Sequence, residues 1–269
     1  MKSKQWVGKA GATIGAMVGA LVLAPVALAQ DKKAPEPDFT ITGNAGLYSD
    51  YRFRGYTQTD DKPAFQGGFD IAHKSGFYVG NWNSNVSSVL YNGASLEMDL
   101  YGGFKFPAGP VTVDLGGIYY YYPGTGKYLS TFKPRNGELY AGVTYGPVTA
   151  KFFHSFTDFF GLNSTDLGGT GPEIDTKGSQ YVDVTAAFDL GGGWGINGHV
   201  GWQKVKNYKE LTGFAEDATL DYKLGVTKDL EGWIWGLSII STSEKRFFTT
   251  SDLKAGGKTR AVLSVMKSF

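Results

Sequence analysis

From Ala94 to Tyr121 the chain alternates with period two. Ala94, Leu96, Met98, Leu100, Gly102, Phe104 and Phe106 hold one parity, and Ser95, Glu97, Asp99, Tyr101, Gly103 and Lys105 the other. Residues 107–110, Pro-Ala-Gly-Pro, break the run. Val111, Val113, Leu115, Gly117, Tyr119 and Tyr121 then oppose Thr112, Asp114, Gly116 and Tyr120. Successive side chains of a strand point to opposite faces, so this pattern predicts two strands joined as a hairpin. Each run matches the ~9–11 residues that a tilted strand needs to cross a bilayer and exceeds the ~5–6 of an ordinary soluble strand. One apolar face and one polar face over that length are the pattern of a transmembrane β-barrel; a soluble sandwich is the competing fold.

The rest of the chain separates the two. The strand that opens the barrel reads from Phe39 to Phe53, with Thr40, Thr42, Asn44, Asp50, Arg52 and Arg54 on its polar face. Further alternating runs occupy 65–71, 138–145, 148–152, 182–190, 194–203, 220–226, 233–239 and 260–269, with a strand of ambiguous facing at 77–85. This makes about twelve strands, an even number. Short connections (74–76, 107–110, 146–147, 191–193, 229–232) alternate with long polar ones (58–62, 85–93, 123–136, 157–178, 204–217, 242–257). An outer-membrane barrel sorts its connections this way, with short periplasmic turns and longer outer loops, whereas a sandwich has no reason to. Phe104, Phe106, Tyr119, Tyr121, Trp194, Trp202, Trp233 and Trp235 cluster near strand ends, as interfacial girdles do. The predicted fold is therefore an all-β, transmembrane, antiparallel up-and-down barrel over residues 39–269.

The first 29 residues read as a cleaved secretory signal: Lys2, Lys4 and Lys9, an apolar stretch over 11–24, and Ala27-Leu28-Ala29 as a small-x-small cleavage site before Gln30. Residues 30–38, with Pro35 and Pro37, form a short flexible leader. Losing the three lysines takes the formal charge from +1 to −2, so no nucleic-acid footprint is expected. Cysteine is absent, which excludes disulfides and thiolate metal sites, and the three scattered histidines argue against a metal centre. No cofactor is implied.

Residues 49–68, SDYRFRGYTQTDDKPAFQGG, resemble the TorF-type porin family, proteobacterial outer-membrane proteins of uncharacterised function. The matching pieces are Ser49-Asp50-Tyr51, Phe53-Arg54-Gly55, Gln58-Thr59, Lys62-Pro63-Ala64 and Gln66-Gly67-Gly68. Phe77-Tyr78-Val79-Gly80, residues 81–86 and the Lys267-Ser268-Phe269 ending are also similar to the family. The resemblance implies a barrel of pore function in the bacterial outer membrane. It supplies no substrate and no binding residues. Resemblance to outer-membrane proteins also implies that Phe269 is part of the signal read by the barrel-assembly machinery.

Catalysis is not expected. His154 and Ser155 are adjacent on one strand and face opposite ways; His199 shares the lumen face with Asn197 and Gln203; His73 sits at a turn. The polar parity assigns Asp50, Arg52, Arg54, Asp70, Glu97, Asp99, Glu138, Lys151, Asp183, Lys223 and Arg260 to the lumen. Such residues either brace a narrow barrel or form a constriction that selects solutes. Arg52 and Arg54, two apart on one expected column, are the leading candidates for the constriction. The resulting expectation is a passive channel for small hydrophilic solutes, embedded in outer-membrane lipid after export through the periplasm. The alternative is a non-conducting structural or partner-binding barrel, plugged by its own side chains.

Overall fold

A computed structural model describes residues 37–249, 252 and 254–269. The expected cleavage after Ala29 and the leader up to residue 36 lie outside the described residues. The chain forms β1 (Phe39–Tyr48), a small hairpin of β2 (Arg52–Phe53) and β3 (Tyr56–Thr57), then β4 (Ala64–His73), β5 (Phe77–Asn85), β6 (Leu96–Ala108) and β7 (Val111–Tyr121). It continues through β8 (Arg135–Tyr145), β9 (Val148–Ser155), β10 (Gln180–Gly191), β11 (Trp194–Lys204), β12 (Ala218–Leu230), β13 (Trp233–Thr242) and β14 (Arg260–Ser268). Twelve of these close an antiparallel barrel in which every strand pairs with its chain neighbours and β1 pairs with both β4 and β14. Among the described residues, helix is confined to one turn at Tyr208–Thr212 and a 3-10 turn at Phe159–Gly161. Among the described residues no helix is long and apolar enough to cross a membrane.

The connections segregate by length. Residues 74–76, 109–110, 146–147, 192–193 and 231–232 link strands at one end, and 49–63, 86–95, 122–134, 156–179, 205–217 and 243–259 at the other. At 231–232 both residues take positive φ, 56° and 80°, as do Gly192 and Gly193 (59° and 78°). Two successive left-handed residues give the turn whose twist suits a tight hairpin. The start of β1 lies at the turn end, where Phe39 faces His73.

The outer face is apolar on strand after strand. Ile41 is 70 % exposed, Leu224 and Leu263 both 61 %, and Phe65 60 %. A belt of this extent is incompatible with a water-facing surface and matches hydrocarbon. Two outward lysines lie at the turn end, and each meets a tryptophan directly across the ladder. Lys228 Nζ lies 5.0 Å from the Trp194 ring centroid, and Lys267 Nζ 5.0 Å from that of Trp233. At that level an ammonium reaches water while its stem lies along the ring.

Two expected boundaries are corrected, and one open facing is defined. The strand expected to run from Phe39 to Phe53 ends at Tyr48, and the first connection, expected at 58–62, is the whole of 49–63 with its own hairpin. β8 starts at Arg135, so the loop before it is shorter than expected. The facing of β5 is now defined: Tyr78, Trp82 and Ser84 are buried inside, while Asn81, Asn83 and Asn85 point outward. Those asparagines hydrogen-bond locally, Asn83 Nδ2 donating to Asn81 Oδ1 (2.5 Å) and Asn81 Nδ2 to the Asp99 carbonyl (3.2 Å). Satisfied in this way, an amide costs far less in lipid than it would alone.

Candidate functional site: a hairpin across the lumen

The β2–β3 hairpin turns on Arg54 and Gly55, both with positive φ (47° and 83°). Its base is tied where the Gln58 N–H donates to the Tyr51 carbonyl at 2.8 Å. From this base between β1 and β4 it reaches the opposite wall. Tyr51 donates to Glu97 on β6 (2.6 Å) and meets Trp82 on β5 edge-on at 5.3 Å. Tyr56 Oη and Thr219 Oγ1 on β12 are 2.9 Å apart. At the tip, Arg54 Nη2 donates to Glu138 on β8 (2.6 Å) and Nη1 to Gln203 on β11 (2.5 Å). The guanidinium carbon lies 4.1 Å from the Tyr181 ring centroid on β10. In the closed strand order, β9 and β10 lie diametrically opposite β1 and β4, so the hairpin spans the lumen.

The loops seal around it. Tyr56, Phe159, Val205, Tyr208 and Phe247 form a buried apolar cluster from four different loops, with Phe160, Leu162 and Phe248 against it. Tyr208 donates to the Phe247 carbonyl, and Phe53 meets Tyr120 on β7 edge-on at 5.5 Å. Arg52 faces the other way. It pairs with Asp50 and with Asp61 (2.5 Å) and donates to the carbonyls of Gly256 (2.7 Å) and Lys258 (3.3 Å) just before β14. Burial holds the Asp50 carboxyl above its usual range, against the pull of the adjacent Arg52 charge. Burial also pushes the Tyr56 phenol up to about 12, which keeps it a neutral donor.

Each candidate lumen residue can now be placed. Asp50, Arg52 and Arg54 lie on no barrel strand; the two arginines share no column and reach opposite sides. Asp70, Glu97, Asp99, Glu138, Lys151, Asp183 and Lys223 lie on barrel strands with their side chains inward. Arg260 begins β14 at the loop end and donates to Asp61 (3.0 Å). Below the hairpin, Tyr101 donates to Asp70 (2.7 Å), Tyr78 to Asp114 (2.6 Å) and Lys151 to Asp114 (2.8 Å). His199 bridges Asp183 (2.9 Å) and Asp221 (2.5 Å) across β10, β11 and β12. His154 is exposed outside while Ser155 is buried inside. Among the described residues no group of three or more acidic or histidine side chains is placed to hold a metal ion. Sequence reasoning placed Gln203 and Tyr120 on the polar face without naming them as site residues, and it passed over Phe153 and Tyr181; these four complete the Arg54 pocket. Their inward parity was readable, but attention to charge alone left them out.

A closed antiparallel barrel with an apolar exterior and a charged, aromatic interior is a membrane β-barrel protein. This chain belongs to the Gcw_chp family, described as bacterial proteins of unknown function, whose model matches residues 32–269. A comparison with curated proteins found no match. Among solved structures, the chain is similar to the KdgM porin in complex with disordered oligogalacturonate, at 8 % identity and TM-score 0.49 over 85 % of this chain and 98 % of that one. It is also similar to the outer membrane channel DcaP of Acinetobacter baumannii, at 12 % identity and TM-score 0.42 over 90 % and 100 % of the two chains. A third is the outer membrane protein OprD from Pseudomonas aeruginosa, at 13 % identity and TM-score 0.37 over 85 % and 64 %. Likeness at this level says nothing about solute or site.

Proposed function

We propose that the protein is an outer-membrane channel for small hydrophilic solutes, held shut at its loop end by the β2–β3 hairpin. The observation that carries this reading is an inward face rich in charged and hydrogen-bonding side chains, crossed at its loop end by a hairpin that is separate from the twelve wall strands. In this reading the short turns face the periplasm and the loops the cell exterior, and the chain arrives by signal-directed export and the barrel-assembly machinery. Residues 49–68, which carry the resemblance to TorF-type porins, build the hairpin and the start of β4. We therefore take that likeness to include the closing element as well as the barrel.

The second reading, a non-conducting barrel, is favoured by the depth to which the hairpin is buried. Planar-bilayer recordings separate the two. The Gln58 N–H to Tyr51 carbonyl bond closes the base, so Gly-Gly can replace residues 52–57 across it, at the cost of the Arg52 and Thr57 bonds to Asp50 and Asp61. The channel reading expects the wild type to be mostly silent and the shortened variant to show steady, discrete current steps. A shortened variant that folds and stays silent would favour the plugged barrel.

A further inference from the structure

We propose that the wall opposite the hairpin is a binding site for a compact organic cation of the guanidinium class, and that Arg54 fills it in the closed barrel. The inference takes its meaning, solute recognition, from the channel reading, but its geometry stands alone. Glu138 and Gln203 come from two strands and accept from the two different terminal nitrogens of one guanidinium (2.6 and 2.5 Å). A planar fork with two donors meets such a pair; a compact ammonium does not match it. Aromatic rings cover the plane: Tyr181 at 4.1 Å, Phe153 at 5.7 Å and Phe159 at 5.9 Å from the guanidinium carbon.

The wall holds these groups without help from Arg54. Gln203 Nε2 donates to the carbonyls of Gln180 (2.9 Å) and Lys204 (3.2 Å), which fixes its amide oxygen toward the lumen. Ser155 donates to the other Glu138 oxygen (3.3 Å), and the Tyr181 hydroxyl to Asp221 (3.1 Å). The wall also keeps buried polar atoms without a partner, Asn136 Nδ2 on β8 and a carboxyl oxygen on β6. Asp99, 1 % exposed, faces Tyr120 across the ladder, and its Oδ1 has no hydrogen-bond partner. Tyr120 in turn donates to Glu138 (3.5 Å), so the orphan oxygen belongs to the same layer. A buried acceptor left unsatisfied is costly, and a donor-rich ligand held in this layer would supply its missing partner. The occupant, by contrast, rides on a hairpin of two residue pairs. A wall braced by its own hydrogen bonds and a guanidinium carried on a separate hairpin make Arg54 a built-in stand-in for the solute.

The test is calorimetric titration of refolded, detergent-solubilised barrel with methylguanidinium. Arg54→Ala should bind it at least tenfold more tightly than the wild type, whose site is filled. Arg54→Ala combined with Glu138→Gln should lose that gain. Equal binding by wild type and Arg54→Ala, or undiminished binding by the double variant, overturns the site. If Arg54→Ala does not fold alone, its refolding yield becomes the readout. A severalfold higher yield with methylguanidinium than with equimolar sodium chloride supports the site, and an unchanged yield overturns it. Conduction plays no part in either measurement. A barrel that binds and never conducts keeps the site and loses the channel, and one that conducts without binding does the reverse.

Discussion

Arg54 and Glu138 form an ion pair whose side chains are 6 % and 1 % exposed. Removing one partner of such a pair leaves a charge buried without compensation, which costs about 3–5 kcal/mol. Arg54→Ala should therefore lower the urea midpoint of the refolded barrel by a large margin, and adding Glu138→Gln should restore much of the loss. If the single and double variants melt alike, the pair does not brace the hairpin. Arg52 is anchored differently, to two carboxylates and to the backbone carbonyls of Gly55, Gly256 and Lys258. Period-two parity could not separate the two arginines, because the arms of a small hairpin are as extended as a barrel strand. Gly55 was the readable exception: Arg-Gly at positive φ is a two-residue turn, and it stands in the sequence where alternation was carried through to Phe53.

Among the elements, β14 closes the barrel on β1. The Gly43 N–H donates to the Phe269 carbonyl (2.7 Å) and the Phe269 N–H to the Gly43 carbonyl (2.9 Å). The Phe269 ring lies over Gly43, where an added Cβ would collide with it. Deleting Phe269 is expected to lower the folded, outer-membrane fraction of the protein severalfold, measured by immunoblot of membrane fractions. Gly43→Leu should weaken the same seam and lower the unfolding temperature of the refolded barrel. The alternation of β6, β7, β10 and β12 was legible because their outward positions are apolar over nearly the whole strand, Lys228 at the turn end being an exception. β5 was not, because Asn81, Asn83 and Asn85 face outward and satisfy one another and the neighbouring backbone. Hydropathy records the side chain but not the bond that masks its polarity.

At the scale of the whole molecule, the number of strands and the sorting of connections by length were legible from turn chemistry and spacing. The path of the first connection was not. Its partners, Glu138, Gln203, Thr219 and Gly256, lie far along the chain, and no local pattern announces contacts of that range. A closed ladder has no free edge to admit detergent. The folded protein is therefore expected to migrate differently on gels before and after boiling, with circular dichroism dominated by strand. A helix-dominated spectrum would overturn the architecture.

Arg52 joins the end of β1 to the backbone just ahead of β14, a separation of 204 residues. The piece that crosses the lumen thus belongs to the first connection made during synthesis, and the strand that shuts the wall beside it is the last. Such distant contacts form late and slowly. The order of events is then constrained: the hairpin must already be inside, or be carried in, when β14 docks on β1. Closing the wall and seating the obstruction become a single kinetic step, and a barrel freed of residues 52–57 should close faster than the native chain.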